Sequence, residues 1–347
     1  MPDHLRNLTI VEAMREALAQ EMTRDEAVFV LGEDIRLGGS FQVTLGLDDQ
    51  FGSERILNTP ISEAGFVGLA IGAAIQGLRP VVDFQYGDFV LEATDQLVQQ
   101  AAKLRYMSGG QVTIPLVVHL PTGASGRGAQ HAQSVEGFFF HVPGLQIVTP
   151  ATPYDAKGLL VSAIRSNNPV LFIVHKHTYG STGRFCLQSD VVTGPVPEEL
   201  FTIPIGSADI KRDGSDVTIV TNLSMLHHSL NVATEMAAAG VSVEVVDLRT
   251  LVPLDTTAIL ASVRKTRRLV IVHEDNLRGG WGAEVAAIVA EQAMSELLAP
   301  IKRVAAADTP IPFSPILEAS VLPNETHITS AIHTVLDREH TALSTHS

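Results

Sequence analysis

One cysteine, Cys186, is all that the 347 residues contain. An intrachain disulfide is therefore excluded, and so is a cysteine cluster for zinc or iron–sulfur; any redox chemistry must use a borrowed group. Positive charge is also short, with 24 Lys and Arg against 38 Asp and Glu and a net charge of −14 at pH 7. Such a surface repels phosphate backbones and anionic headgroups, which argues against nucleic-acid and membrane partners. Long apolar runs are missing too. The most apolar stretch, Val67 to Leu78, is broken by Gly68, Gly72 and Gly77 and falls far short of the roughly 20 residues that span a bilayer; a buried helix is expected there. The N-terminus has neither a basic and apolar secretory signal nor an acid-poor transit signal, because Asp3 and Glu12 fall within it. A cytoplasmic or already processed protein is the expectation.

What is present points to an α/β fold. The composition is 45% hydrophobic and 18% charged, with a mean hydropathy of +0.20, which suits strands buried on both faces. The length allows two cores. Thr9-Ile-Val-Glu12 has capping-box spacing, and Val11, Met14, Leu18 and Met22 share one helical face, so a helix should begin almost at once. Apolar runs at Val28–Gly32, Pro80–Phe84, Pro115–Leu120, Leu145–Val148 and Val170–Val174 alternate with helical stretches at 62–77, 89–107 and 153–165. That alternation predicts a parallel sheet covered on both faces. Residues 178–200 are punctuated by Gly180, Gly183, Gly194, Pro195 and Pro197 and read as a linker. The predicted domains are therefore 1–195, linker included, and 201–340, the second a smaller α/β unit with strands near 216–220, 241–246, 269–273 and 301–306.

Three segments could carry chemistry. Glu63 opens a Gly-rich helix, where a carboxylate either caps the first turn or faces a ligand. Gln85, Tyr86 and Phe89 follow a buried strand directly, at the end where open α/β sheets bind ligands, although aromatics there also serve as core. His131 and Gln133 lie in the loop Gly123-Ala-Ser-Gly-Arg-Gly-Ala-Gln-His-Ala-Gln-Ser134. An unburied imidazole there suits proton transfer, the plain alternative being a solvated loop histidine.

Read in order, Gly32-Glu-Asp34, Thr59-Pro-Ile-Ser-Glu63, Asp83-Phe-Gln-Tyr86, Ala101-Ala-Lys-Leu-Arg-Tyr106, Gln130-His-Ala-Gln-Ser134, His141-Val-Pro-Gly144 and Asp247-Leu-Arg-Thr-Leu251 form one ordered set. From about Leu8 to Leu336 the chain resembles the β subunits of the thiamin-diphosphate-dependent first component of 2-oxo acid dehydrogenases. The resemblance implies a transketolase-like pyrimidine-binding domain with a parallel sheet, followed by a smaller transketolase C-terminal domain. It implies that Glu63 hydrogen-bonds the cofactor's pyrimidine ring nitrogen, that Phe89 packs on that ring with Gln85 and Tyr86 beside it, and that His131 serves proton transfer and acylation of a lipoyl group. The family's diphosphate anchor, Gly-Asp-Gly, occurs nowhere in this sequence. The diphosphate and its magnesium are then expected on an α chain, in an assembly of two α and two β chains that serves a dihydrolipoyl acyltransferase core.

Departures from the pattern are Ala132 in place of a serine, His175 in place of a glutamate, and Ser166 in place of an acid at a monovalent cation site, where Asn168 remains and a potassium ion is the expected occupant. Gly280-Trp-Gly-Ala-Glu-Val285 lacks the third glycine of a dinucleotide turn and reads as helix packing. His227-His228 and His175/His177 lack the carboxylates a metal would need, Asp247 and Arg249 read as a strand-end ion pair, and Cys186 reads as inert. The expected reaction is oxidative decarboxylation of pyruvate or a branched-chain 2-oxo acid, or cleavage of acetoin. An acyloin-forming or acyloin-cleaving enzyme without a lipoyl partner, and a non-catalytic α/β binding subunit, are the rival readings.

Overall fold

The computed structural model describes residues 5–180 and 192–336; Cys186 and much of the expected linker lie outside them. The chain divides into two compact units between Ile205 and Gly206. The first contains β1 (Leu5–Thr9), α1 (Ile10–Arg24), β2 (Val28–Gly32), α2 (Leu47–Phe51), β3 (Ile56–Asn58), α3 (Glu63–Ile75), β4 (Arg79–Asp83), α4 (Ala102–Met107), β5 (Val117–Thr122), α5 (Glu136–Phe140), β6 (Gln146–Val148), α6 (Pro153–Arg165), β7 (Val170–His175) and β8 (Thr193–Pro197). Within this unit the strands run β6-β7-β5-β4-β2-β3, each neighbouring pair parallel. Strands β2, β5 and β7 are buried along their whole length, as expected when helices cover both faces.

The predicted capping box starts α1: Glu12 donates its main-chain N–H to Thr9 Oγ1 (3.3 Å), and Glu12 Oε2 accepts from the Thr9 amide (2.8 Å). One face of α1, with Met14, Leu18 and Met22, enters the core beside Leu159 and Val161 of α6. Ion pairs reinforce that contact. The fully buried Glu21 accepts from Arg24 and Arg165, and the buried Lys157 donates to Glu16 and to the carbonyls of Pro197 and Glu198.

Three expectations need correction. Strand β1 precedes the first helix and pairs antiparallel with β8, so part of the presumed linker is ladder. The 89–107 helix is composite: a 3-10 stretch Gly87–Ala93, a π-helical stretch Asp95–Ala101, and only then α4. Within its own unit α3 is only half covered, since Gly68, Leu69, Gly72 and Ile75 are exposed; the glycines lower the bulk of that face without turning it inward.

The second unit contains β9 (Asp209–Arg212), β10 (Val217–Thr221), α7 (Ser224–Ala238), β11 (Val243–Asp247), β12 (Thr250–Val252), α8 (Thr256–Thr266), β13 (Leu269–Asn276), α9 (Gly282–Ala293), β14 (Lys302–Ala306), α10 (Pro315–Val321) and α11 (Glu325–Leu336). Its sheet runs β14-β13-β10-β11-β9, parallel except for β9. A Cβ on Gly282 would fall 2.5 Å from His273 Nε2, so that glycine serves the close packing of α9 on β13. Arg249 reaches the carbonyls of Ser207 and Ala208 and lies 3.8 Å from Asp209, while its amide donates to Asp247. Among the described residues no helix is long and apolar enough to cross a membrane, and no three His, Cys, Asp or Glu side chains stand together as metal ligands.

Candidate active site

In the first unit the chain reverses direction across the sheet at β2, with β3 on one side and β4 on the other. The carboxyl ends of strands at such a reversal form the crevice in which open α/β sheets bind ligands. The loops there carry the residues singled out from sequence.

Glu63 is the first residue of α3, reached from β3 through Thr59-Pro-Ile-Ser62, and is buried. Ser62 makes no side-chain cap bond. Among the described residues the Glu63 carboxyl has no hydrogen bond or ion pair, so it is not occupied in holding the fold. Beside it stands Glu33, directly after β2 and likewise buried. Burial, then the charges of Glu63 and Asp34, push the Glu33 carboxyl up to about 7. Two carboxyl groups therefore stand near one another at the head of α3, where Glu33 can hold a proton at neutral pH. Glu33 was visible in sequence only as the middle of Gly32-Glu-Asp34; its pairing with Glu63 depends on β2 and β3 being neighbours.

Gln85 follows β4 and donates to Asp34 Oδ2 (3.2 Å), joining the two strand ends. The next turn, Gly87–Ala93, presses so closely on β5 that a Cβ on Gly87 would lie 2.5 Å from Thr122 Cγ2. This turn directs Tyr86 and Phe89 together, ring centroids 5.9 Å apart. His131 stands edge-on to both, 5.0 Å from Tyr86 and 5.3 Å from Phe89. Because α3 packs against the Gly87–Ala93 and Asp95–Ala101 stretches, Glu63 and the aromatic group are borne on contiguous elements. Burial raises the Tyr86 hydroxyl pKa, with Arg127 opposing and Asp88 assisting.

Under this crevice runs a buried polar chain. Asp83, at the end of β4, accepts from His119 Nδ1 (2.6 Å), and His119 Nε2 meets the Tyr179 hydroxyl (2.5 Å). Tyr179 is fully buried and stacked on Phe41. The three side chains tie β4 to β5 and to the segment after β7, which fixes the loops above them.

Asn168 is not part of this group. Its side-chain oxygen accepts from Arg105 (2.7 Å), its amide donates to Ser166 Oγ, and Arg79 donates to the carbonyls of Ile164 and Ser166 and to Asn167 Oδ1. Two guanidinium groups thus already occupy the oxygens of this loop, a donor set that does not fit a bare cation at those same atoms. His175 accepts from the His177 amide and stacks on the His177 ring.

Comparison with known proteins agrees with this architecture. Residues 6–182 match the transketolase pyrimidine binding domain, and residues 206–328 match the transketolase C-terminal domain. The chain is 43% identical over 328 residues to the 2-oxoisovalerate dehydrogenase subunit beta of Bacillus subtilis, covering 94% of this chain and 97% of that one. It is 44% identical over 330 residues to the pyruvate dehydrogenase E1 component subunit beta of Rickettsia felis, covering 94% and 98%. It is 45% identical over 338 residues to the acetoin:2,6-dichlorophenolindophenol oxidoreductase subunit beta of Cupriavidus necator, covering 94% and 96%. Among solved structures, a split-gene transketolase in an inactive beta4 tetramer superposes with a TM-score of 0.73 at 20% identity, covering 95% of this chain and 98% of that one, a likeness of fold. The chain belongs to the family of transketolase-like β subunits that serve pyruvate, branched-chain 2-oxo acid and acetoin dehydrogenases.

Proposed function

We propose that this chain is the β subunit of a thiamin-diphosphate-dependent 2-oxo acid dehydrogenase and supplies the pyrimidine half of a site completed by an α chain. The observation that carries the reading is the Glu63 carboxyl, on a largely buried residue at the head of α3, free of any described protein partner and beside a second carboxyl held up to about 7. A carboxyl beside a second carboxyl, engaged by no described protein group, is open to a heterocyclic ring nitrogen as its hydrogen-bond partner. When bound, thiamin diphosphate supplies a nucleophilic carbon and an electron sink.

The residues of this chain fit that group. Glu63 would hold a proton at the pyrimidine ring nitrogen. Phe89 would cover the face of the ring, and Gln85, fixed by Asp34, would border it. His131, kept against Tyr86 and Phe89, would move a proton at its imidazole as an acyl group passes to a lipoyl sulfur. No Gly-Asp-Gly segment exists in the sequence, so the diphosphate and magnesium fall to the α chain, in a complex of two α and two β chains serving a dihydrolipoyl acyltransferase. A potassium ion at Asn168 would have to share a loop whose oxygens two guanidiniums already use. Relatives with three different substrates lie within 43–45% identity, so pyruvate, branched-chain 2-oxo acids and acetoin stand level.

The test is co-production with an α chain and steady-state assay of all three substrate types with an artificial electron acceptor. Turnover that needs both chains and drops at least about 100-fold in Glu63→Gln is expected, the scale of a lost acid–base group. Full turnover by this chain alone, or by the Glu63→Gln complex, would overturn the reading.

A further inference from the structure

The loop that carries His131 turns on three glycines. Gly123, Gly126 and Gly128 all have positive φ, at 88°, 69° and 76°, which a glycine-poor loop could not adopt cheaply. Proton transfer requires the imidazole to be held in place, and a loop without regular secondary structure needs contacts beyond its own backbone to do so. The restraint lies two residues further on. Gln133 donates both its amide (3.0 Å) and its side-chain Nε2 (3.1 Å) to Asp88 Oδ1, and its carbonyl accepts from the Gly123 amide (3.0 Å), which closes the neck of the loop.

Asp88 is itself buried, and its second oxygen faces Lys176 Nζ at 3.7 Å. The Lys176 side chain is wholly enclosed, with its ammonium 5.4 Å over the ring of Tyr86, which also stands edge-on to His131. One buried ion pair thus joins the segments after β4, β5 and β7 around a single imidazole. For stability alone such a pair is a poor choice, because desolvating two charges offsets their attraction and an apolar pair would serve as well. Its value is directional: the carboxylate fixes Gln133, and the ammonium fixes the carboxylate and the aromatic wall.

We propose that Asp88 and Lys176 are the positioning pair of His131, setting the imidazole against Tyr86 and Phe89 without touching substrate. The proposal rests on the reading of His131 as the proton-transfer residue, and its test has two independent readouts. In the assembled α/β complex, His131→Ala, Asp88→Ala, Lys176→Met and the Asp88→Ala/His131→Ala double variant are compared. The first readout is the rate at which diethyl pyrocarbonate modifies His131, resolved by peptide mass spectrometry; the second is kcat and KM for the 2-oxo acid with lipoamide as acceptor. Expected are a roughly tenfold faster modification of His131 in Asp88→Ala and a kcat lowered about 100-fold with KM within about twofold, the cost of a misplaced group. The double variant should be no slower than His131→Ala alone.

Unchanged modification of His131 in an Asp88→Ala complex of normal melting temperature overturns the proposal, as does a double variant whose losses multiply. If Asp88→Ala does not assemble, Lys176→Met decides by the same two readouts and in the same directions. If His131→Ala leaves turnover intact, the functional reading of His131 fails, while the modification rate still decides whether the pair holds the ring.

Discussion

Glu33 keeps its proton well above the usual glutamate range, and that has a consequence for folding. Its folded value, about 7, lies above the ordinary 4.5. A raised acid contributes stability that is fully present below 4.5 and is lost as pH rises through 7, where the folded carboxyl must ionise beside Glu63. The loss should be on the order of 3 kcal/mol. Urea unfolding of the full chain at pH 5 and pH 8, set beside Glu33→Gln, measures it: the wild type should lose stability over this interval and the variant should lose markedly less. Equal slopes would sink the assignment. A backbone prediction stands beside it. Gly144 has φ 101°, and a Cβ there would lie 2.0 Å from the Ala102 carbonyl oxygen, so Gly144→Ala should cost at least about 2 kcal/mol in the same measurement. At this scale the positions of several candidate residues were legible in the sequence. Glu63, Gln85, Tyr86, Phe89 and His131 do lie at neighbouring strand ends. Glu33 as a carboxyl partner was not legible there, nor were Asp88 and Lys176, because each acquires its role from a residue on another strand.

Elements with a local signal were legible, and those decided by tertiary packing were not. The helix 153–165 appears with the predicted bounds, because Pro153 sits in its first turn and Thr152 caps it by accepting from the Asp155 amide. Stretch 89–107 has an equally helical composition, yet it winds first as 3-10 and then as π where it packs against α3. Strand β1 is half-exposed and has no periodicity of its own; only its pairing with β8 makes it a strand. The α1–α6 contact carries a prediction with the opposite pH sign to Glu33. Burial would raise the Glu21 carboxyl, but hydrogen bonds from Arg165 and Arg24 outweigh it and hold the value below 4.5. Such a lowered acid contributes stability present above 4.5 and lost as pH falls through its folded value. Glu21→Gln should therefore cost about 1–2 kcal/mol at pH 7, modest because both guanidiniums are more than a third exposed. Chemical denaturation at pH 7 and at pH 3 should show that gap closing under acid.

On the scale of the whole molecule, the half-covered α3 is the feature that ties fold to assembly. Leu69 and Ile75 remain 55% and 42% exposed on a face shared with Gly68 and Gly72, next to Ile61 at 82%. Apolar surface of that kind, rising from the same helix whose first residue is Glu63, fits a partner chain packed close to the cofactor. The glycines are costly in a helix, at roughly 1 kcal/mol each relative to alanine, and around Gly72 nothing within 4 Å among the described residues requires a missing Cβ. A partner chain packed against this face would account for the missing side chain. Gly72→Leu separates the two demands. Alone, the variant chain should melt at or above the wild-type temperature, because a better helix former replaces glycine at an open position. Mixed with its α chain it should fail to assemble, because four extra carbons would keep the surfaces apart. Size-exclusion chromatography of the co-produced chains, beside thermal melts of this chain by itself, reads both. Normal assembly of Gly72→Leu would mean that this face of α3 stays open to solvent and that the site is completed across some other surface.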